Sequence, residues 1–68
     1  MNKFAERLKE LREDKNLSQT ELARELGFSQ AAIARWEKSV QTPNIDTAII
    51  VAKYFKVTTD FLLGLEDY

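Results

Sequence analysis

The segment from Gln19 to Lys38, Q-T-E-L-A-R-E-L-G-F-S-Q-A-A-I-A-R-W-E-K, constrains this chain most, because its apolar and small residues are spaced for two short helices meeting at a glycine turn. Leu22 and Leu26 lie four residues apart and so share one helix face, and Ala23 beside them is small enough for a second helix to cross closely. Gly27 ends that helix at a position that favours a positive φ, and Phe28 plugs the corner behind the turn. Ser29 is placed to cap the next helix, whose Ile33 and Trp36 face back toward Leu22 and Leu26. Gln30, Ala31, Ala32, Ala34 and Arg35 are then left largely outside. An outward face without large apolar groups, on a helix held across another, has the geometry that enters a DNA major groove.

With 68 residues and no cysteine, the chain reads as one domain, residues 1–68, near the lower size limit for a self-sufficient core. A composition of 44% hydrophobic and 31% charged residues, with two glycines and one proline, is that of a soluble helical protein. No apolar run is long enough for a membrane span or a signal peptide, so the expected location is the cytoplasm of a bacterial or phage-infected cell. Ten Lys and Arg against eleven Asp and Glu give a net charge of −1, which offers no basic excess for nucleic acid. Binding to DNA then requires the cations to gather on one face.

Along the chain, a first helix is predicted from about Asn2 or Lys3 to Lys15, with Phe4, Leu8 and Leu11 on one stripe and Asn16 as a left-handed stop. Ser18 followed by Glu21 is a capping-box pattern that starts the second helix. The third helix runs from about Gln30 to Lys38, and a loop from Ser39 to Pro43 follows. Asn44 caps a fourth helix that is expected to bury Ile45, Ala48, Ile49, Ala52 and Phe55. Thr58 caps a short fifth helix containing Phe61 and Leu62, and Gly64 ends it.

S-Q-T-E-L-A, then G-F-S-Q, then I-A-R-W-E, resembles the Cro/repressor-type (Xre-like, lambda-repressor-like) helix-turn-helix family of phage and bacterial regulators. The L-K-E-L-R of the first helix, the T-P-N before the fourth and the closing V-T-T-D-F-L-L-G extend the resemblance over nearly the whole chain. It implies an all-α, compact five-helix lambda-repressor-like domain with the helix-turn-helix at about 19–38. It also implies a sequence-specific transcriptional regulator, a repressor on a double-stranded DNA operator, acting as a homodimer.

Carried onto this chain, the resemblance makes Gln19 a phosphate anchor at a helix N-terminus and points Gln30 at a base edge, where its amide matches adenine. The ordinary alternative is two solvated residues beside helix caps. Arg35 is an outward fork for guanine or a phosphate, with a surface salt bridge as its alternative. Ala31 and Ala32 are either contacts for thymine methyl groups or simply good helix formers. Ser29 and Lys38 suit backbone contacts. Arg12 and Glu37 match the pair that ties the first helix to the third in this family, and Trp36 belongs to the core.

Two departures support a second reading. Relatives commonly carry lysine or arginine in the loop after the third helix, but here Ser39, Val40, Gln41 and Thr42 stand there. Ile50 and Tyr54 fall outside the expected buried stripe, and with Val40, Phe61, Leu65 and Tyr68 they form a candidate protein-contacting surface. On that reading the chain is an antirepressor or modulator of repression that binds a second regulator protein. Lys56 is expected in a left-handed, mildly strained conformation. Histidine and cysteine are absent and pairs such as Glu66 with Asp67 look like solvated charges, so no enzyme, metal, cofactor or small-molecule ligand is implied.

Overall fold

The computed structural model describes residues 2–66, in five helices with no strand among them. These are α1 (Phe4–Asp14), α2 (Gln19–Leu26), α3 (Gln30–Glu37), α4 (Ile45–Phe55) and α5 (Thr59–Leu63). Asp67 and Tyr68 lie outside the described residues.

Local chemistry starts each helix after the first. The Ser18 hydroxyl accepts from the Glu21 amide at 3.0 Å, and the Glu21 carboxylate accepts from the Ser18 amide at 2.8 Å, completing the capping box. Ser29, Asn44 and Thr58 each accept the amide three residues on, at 3.1, 2.7 and 2.9 Å. Gly27 closes α2 at φ +80°, and a Cβ built there meets nothing within 4 Å, so the backbone angle alone calls for glycine. Asn16 and Lys56 adopt φ +57° as expected, and Ser39 at φ +60° is a third, unforeseen left-handed residue.

Helix α2 packs mainly on α3, α1 lies against both α3 and α5, and α4 joins α5 and α2. The core is drawn from every helix: Phe4 and Leu8, Leu22 and Ala23, Ile33 and Trp36, then Val51, Ala52, Phe55 and Leu62. Trp36 packs edge-on to Phe4 at 6.2 Å and to Phe28 at 5.3 Å. Leu22, Ile33 and Trp36 are buried together with residues of α1, α4 and α5, so the position of α3 is fixed by the whole core rather than by the turn alone.

The expected register of α4 is wrong at two positions. Ile45 is 79% exposed and Ile49 is 38% exposed, while Val51 is fully buried and Thr47 nearly so. Each Cα–Cβ bond leans toward a helix N-terminus, so Ile45 at the first helical position projects past the body of the protein. The stripe that faces the core is therefore Ala48, Val51, Ala52 and Phe55. The expected contacting surface changes with it. Tyr54 is half-buried: its ring lies edge-on to Phe55 at 5.0 Å, Lys15 Nζ sits 5.0 Å from its centroid, and its hydroxyl donates to Glu25 at 3.4 Å. Phe61 is half-buried under the Arg7 guanidinium, 4.1 Å from its ring centroid. Val40, Ile50 and Leu65 are exposed, joined by Ile45 and Ile49.

Candidate nucleic-acid interface

With Ile33 and Trp36 turned into the core, α3 presents Gln30, Ala31, Arg35 and Lys38 to water. At 100° per residue these positions and Ala34 fall within less than half of the helix circumference. Ala34 is half-buried, and Ala32 is half-buried and packed against the core, so Ala32 is only partly on the outward face. The face carries no large apolar group, as expected.

Gln19 and Gln30 are brought together by the turn between α2 and α3. Gln30 Nε2 donates to Gln19 Oε1 at 2.7 Å, and Gln19 Nε2 donates to Glu37 Oε1 at 3.1 Å. Glu37 in turn accepts from Arg12 through both oxygens, Nε at 2.7 Å and Nη2 at 3.0 Å. The Arg12 and Glu37 side chains are only 11% and 5% exposed. This hydrogen-bonded, charged contact pushes the Arg12 guanidinium further above its ordinary value, against the opposing effect of burial. The pair does tie α1 to the end of α3, and Arg12 Nη1 also holds the Leu17 carbonyl at 2.8 Å. Glu37 thus has a second attachment that the resemblance did not supply, to Gln19.

Gln19 keeps one N–H after these contacts. The amides of Gln19 and Thr20, first in α2, have no acceptor within the helix. Arg35 is exposed, and its Nε donates to Gln41 Oε1 at 2.8 Å, which leaves the two Nη groups for an outside partner. Gln41 sits in the loop after α3, and nothing in its sequence context pointed to Arg35. Ser29 is an exposed residue occupied as a cap, and Lys38 is the exposed residue that closes α3.

The near-neutral total conceals an uneven distribution. From Gly27 to Ile45 the chain has a single carboxylate, Glu37, and that one is buried against Arg12, whereas Arg35 and Lys38 are exposed. On α2 the carboxylate of Glu21 is engaged by Ser18, and the Ser18 amide holds it below the usual carboxylate range. A small hollow between the start of α1 and the α3–α4 loop is lined by Phe4, Ala5, Trp36 and Pro43 without an ionisable group. Among the described residues no group of three or more acidic, histidine or cysteine side chains is placed to hold a metal ion, and no helix is long and apolar enough to cross a membrane.

The model of the helix-turn-helix family matches residues 8–62. The chain is 42% identical over 64 residues to the HTH-type transcriptional activator BcrR of Enterococcus faecalis, a match that covers 94% of this chain and 31% of that protein. It is 31% identical over 64 residues to the HTH-type transcriptional regulator ImmR of Bacillus subtilis, covering 94% and 50%. The chain therefore spans between about a third and a half of these two relatives. Among solved structures, the P22 c2 repressor in complex with synthetic operator 9T superposes with a TM-score of 0.84 at 28% identity, over 93% of this chain and 96% of that one. A transcriptional regulator from Listeria innocua superposes with a TM-score of 0.86 at 28% identity, over 94% and 60%.

Proposed function

The chain belongs to the helix-turn-helix family of transcriptional regulators, and from that premise we propose that it binds a specific DNA operator through α3 and represses by occupying it. The observation that carries the reading is the outward face of α3. Gln30 is held by Gln19, Arg35 is held by Gln41, Lys38 is free to meet a phosphate, and no exposed carboxylate interrupts them. The P22 c2 repressor, with the same fold, has been captured on a synthetic operator, which supports the same docking here. The chain is not an enzyme.

In this arrangement Gln30 reads a base edge in the major groove, Gln19 and the first amides of α2 hold a phosphate, and the Arg35 fork engages guanine or a phosphate. Ala31 lies against a thymine methyl group, with Ser29, Ala32 and Lys38 at the margins of the contact. Two copies on a palindromic site would place their α3 helices about 34 Å apart, in successive major grooves. Occupancy would block polymerase in a bacterial or phage-infected cytoplasm. Enrichment of random duplex DNA by the purified protein tests the proposal directly. A two-fold motif should emerge and weaken with salt, and Arg35→Ala should cost roughly 1–3 kcal/mol and relax one base pair. Little retention at low salt, from folded protein, would refute direct DNA reading.

A second reading draws on α4, where Ile45, Ile49 and Ile50 are exposed together with Val40 in the preceding loop. A modulator that binds another regulator would use such a surface. Under that reading Ile49→Ser with Ile50→Ser abolishes capture of the regulator and leaves the fold intact, whereas a direct DNA reader keeps its motif in the same variant.

A further inference from the structure

The hydrogen bonds behind Gln30 form a chain with a direction. Glu37, as a carboxylate between Arg12 and Gln19, has only acceptors to offer. Gln19 must therefore turn its NH2 toward Glu37, which turns its carbonyl toward Gln30. Gln30 must in turn present its NH2 to Gln19, as observed at 2.7 Å. At each glutamine the two amide orientations are nearly equivalent in shape, so a group that accepts only is what distinguishes them.

The consequence appears at the exposed end. In this orientation Gln30 keeps its carbonyl oxygen and one N–H, an acceptor beside a donor. Adenine offers the complementary pair in the major groove, N7 as acceptor and the N6 amino group as donor. With the amide reversed, its carbonyl would be engaged by Gln19 and two N–H groups would face outward. Guanine, with N7 and O6 both acceptors, is the base that suits that face.

We propose that Glu37 is a specificity-determining positioning residue, which sets the Gln30 amide orientation through Gln19 and so selects adenine over guanine at one base pair of the operator. Glu37 touches no base in this scheme. The proposal rests on α3 being the DNA-reading helix and adds to that reading a rule for one base.

Random-duplex enrichment with the wild-type protein and with Gln19→Met tests it, because that variant cuts the relay while leaving the Arg12–Glu37 pair in place. Wild-type protein should recover adenine at one position of each half-site, and that position should be assigned to Gln30 by its loss in Gln30→Ala. In Gln19→Met the preference for adenine over guanine there should fall by about tenfold, the scale of one bidentate base contact. Loss of a phosphate contact at Gln19 would weaken all sequences alike and would not change that ratio. Glu37→Gln should show the same loosening where thermal denaturation shows it folded. Where it is not, Arg12→Met with Glu37→Met, which removes the carboxylate together with its buried partner and leaves Gln19 in place, carries the test. An adenine preference retained in full by these Glu37 variants overturns the proposal. An adenine preference retained in full by Gln19→Met, or a guanine at the Gln30 position of the wild-type motif, overturns the proposal alone. Absence of any wild-type motif overturns the DNA-reading function and this inference with it.

Discussion

Among the described residues, three without a glycine's freedom hold positive φ angles, and they differ in how far their types announced it. Asparagine often takes this conformation, which made Asn16 legible, and Lys56 stood where α4 had to turn into Val57 and α5. Ser39 gave no such signal, since a serine in a polar loop fits many conformations. Lys56 is the most informative of the three because it is exposed and its side chain makes no hydrogen bond among the described residues. Relief of left-handed strain should exceed the entropic penalty of glycine there. Lys56→Gly is expected to stabilise the protein by about 0.5–1 kcal/mol, read as a higher denaturant midpoint at unchanged slope. An unchanged or lower midpoint would mean that the turn is not strained at this position.

At the scale of the helix, starts were easier to read than registers. Caps depend on residues within three positions, and Ser18, Ser29, Asn44 and Thr58 all accept the amides expected of them. Which face of α4 is buried depends instead on where α1, α2 and α5 lie, and a wholly apolar sequence from Ala48 to Ala52 leaves several stripes open. Ile49 was misplaced and Val51 overlooked for that reason, whereas Ile45 is exposed because it stands at the first position of α4. The cap of α2 also has a defined pH behaviour. Because Glu21 is held below its ordinary carboxylate value by the Ser18 amide, its contribution is present at neutral pH and disappears as pH falls through its folded value. Ser18→Ala should cost about 1 kcal/mol at neutral pH. The gap between wild type and Glu21→Gln in chemical denaturation should narrow on acidification below the usual carboxylate range. A gap independent of pH would show that the Glu21 charge plays no part in the cap.

Across the whole molecule, two of the ten cations are spent inside. Arg7 reaches the carbonyls of Phe61 and Glu66 at 2.9 and 3.3 Å, and Arg12 reaches Glu37 and the Leu17 carbonyl, so the two arginines of α1 fasten it to α5 and the turn after it, to the α1–α2 turn and to α3. The Arg12–Glu37 pair was legible only through the family resemblance, and the role of Glu37 behind Gln19 not at all, because it requires three helices to meet. Removing one partner leaves a buried charge uncompensated. Arg12→Met is therefore expected to destabilise by about 3–5 kcal/mol, and Arg12→Met with Glu37→Met should recover much of that loss in thermal unfolding.

The same division of charges bears on DNA binding. A net charge of −1 counts Arg7, Arg12 and the carboxylates of α1, α4 and α5 alongside the two cations that α3 exposes. Counterion release depends on cations placed at phosphates and not on the total. If Lys38 meets a phosphate, Lys38→Ala should lower the salt dependence of operator affinity by about one unit in the log–log slope and weaken all sequences alike. Asp60→Asn changes net charge by the same amount in the opposite sense, but Asp60 belongs to α5, outside α2 and α3, and should leave the slope unchanged. Fluorescence anisotropy with an operator duplex over a salt series separates the two variants. Equal and opposite effects on the slope would instead show that the protein meets DNA through its overall field, which would remove α3 from its special place in binding.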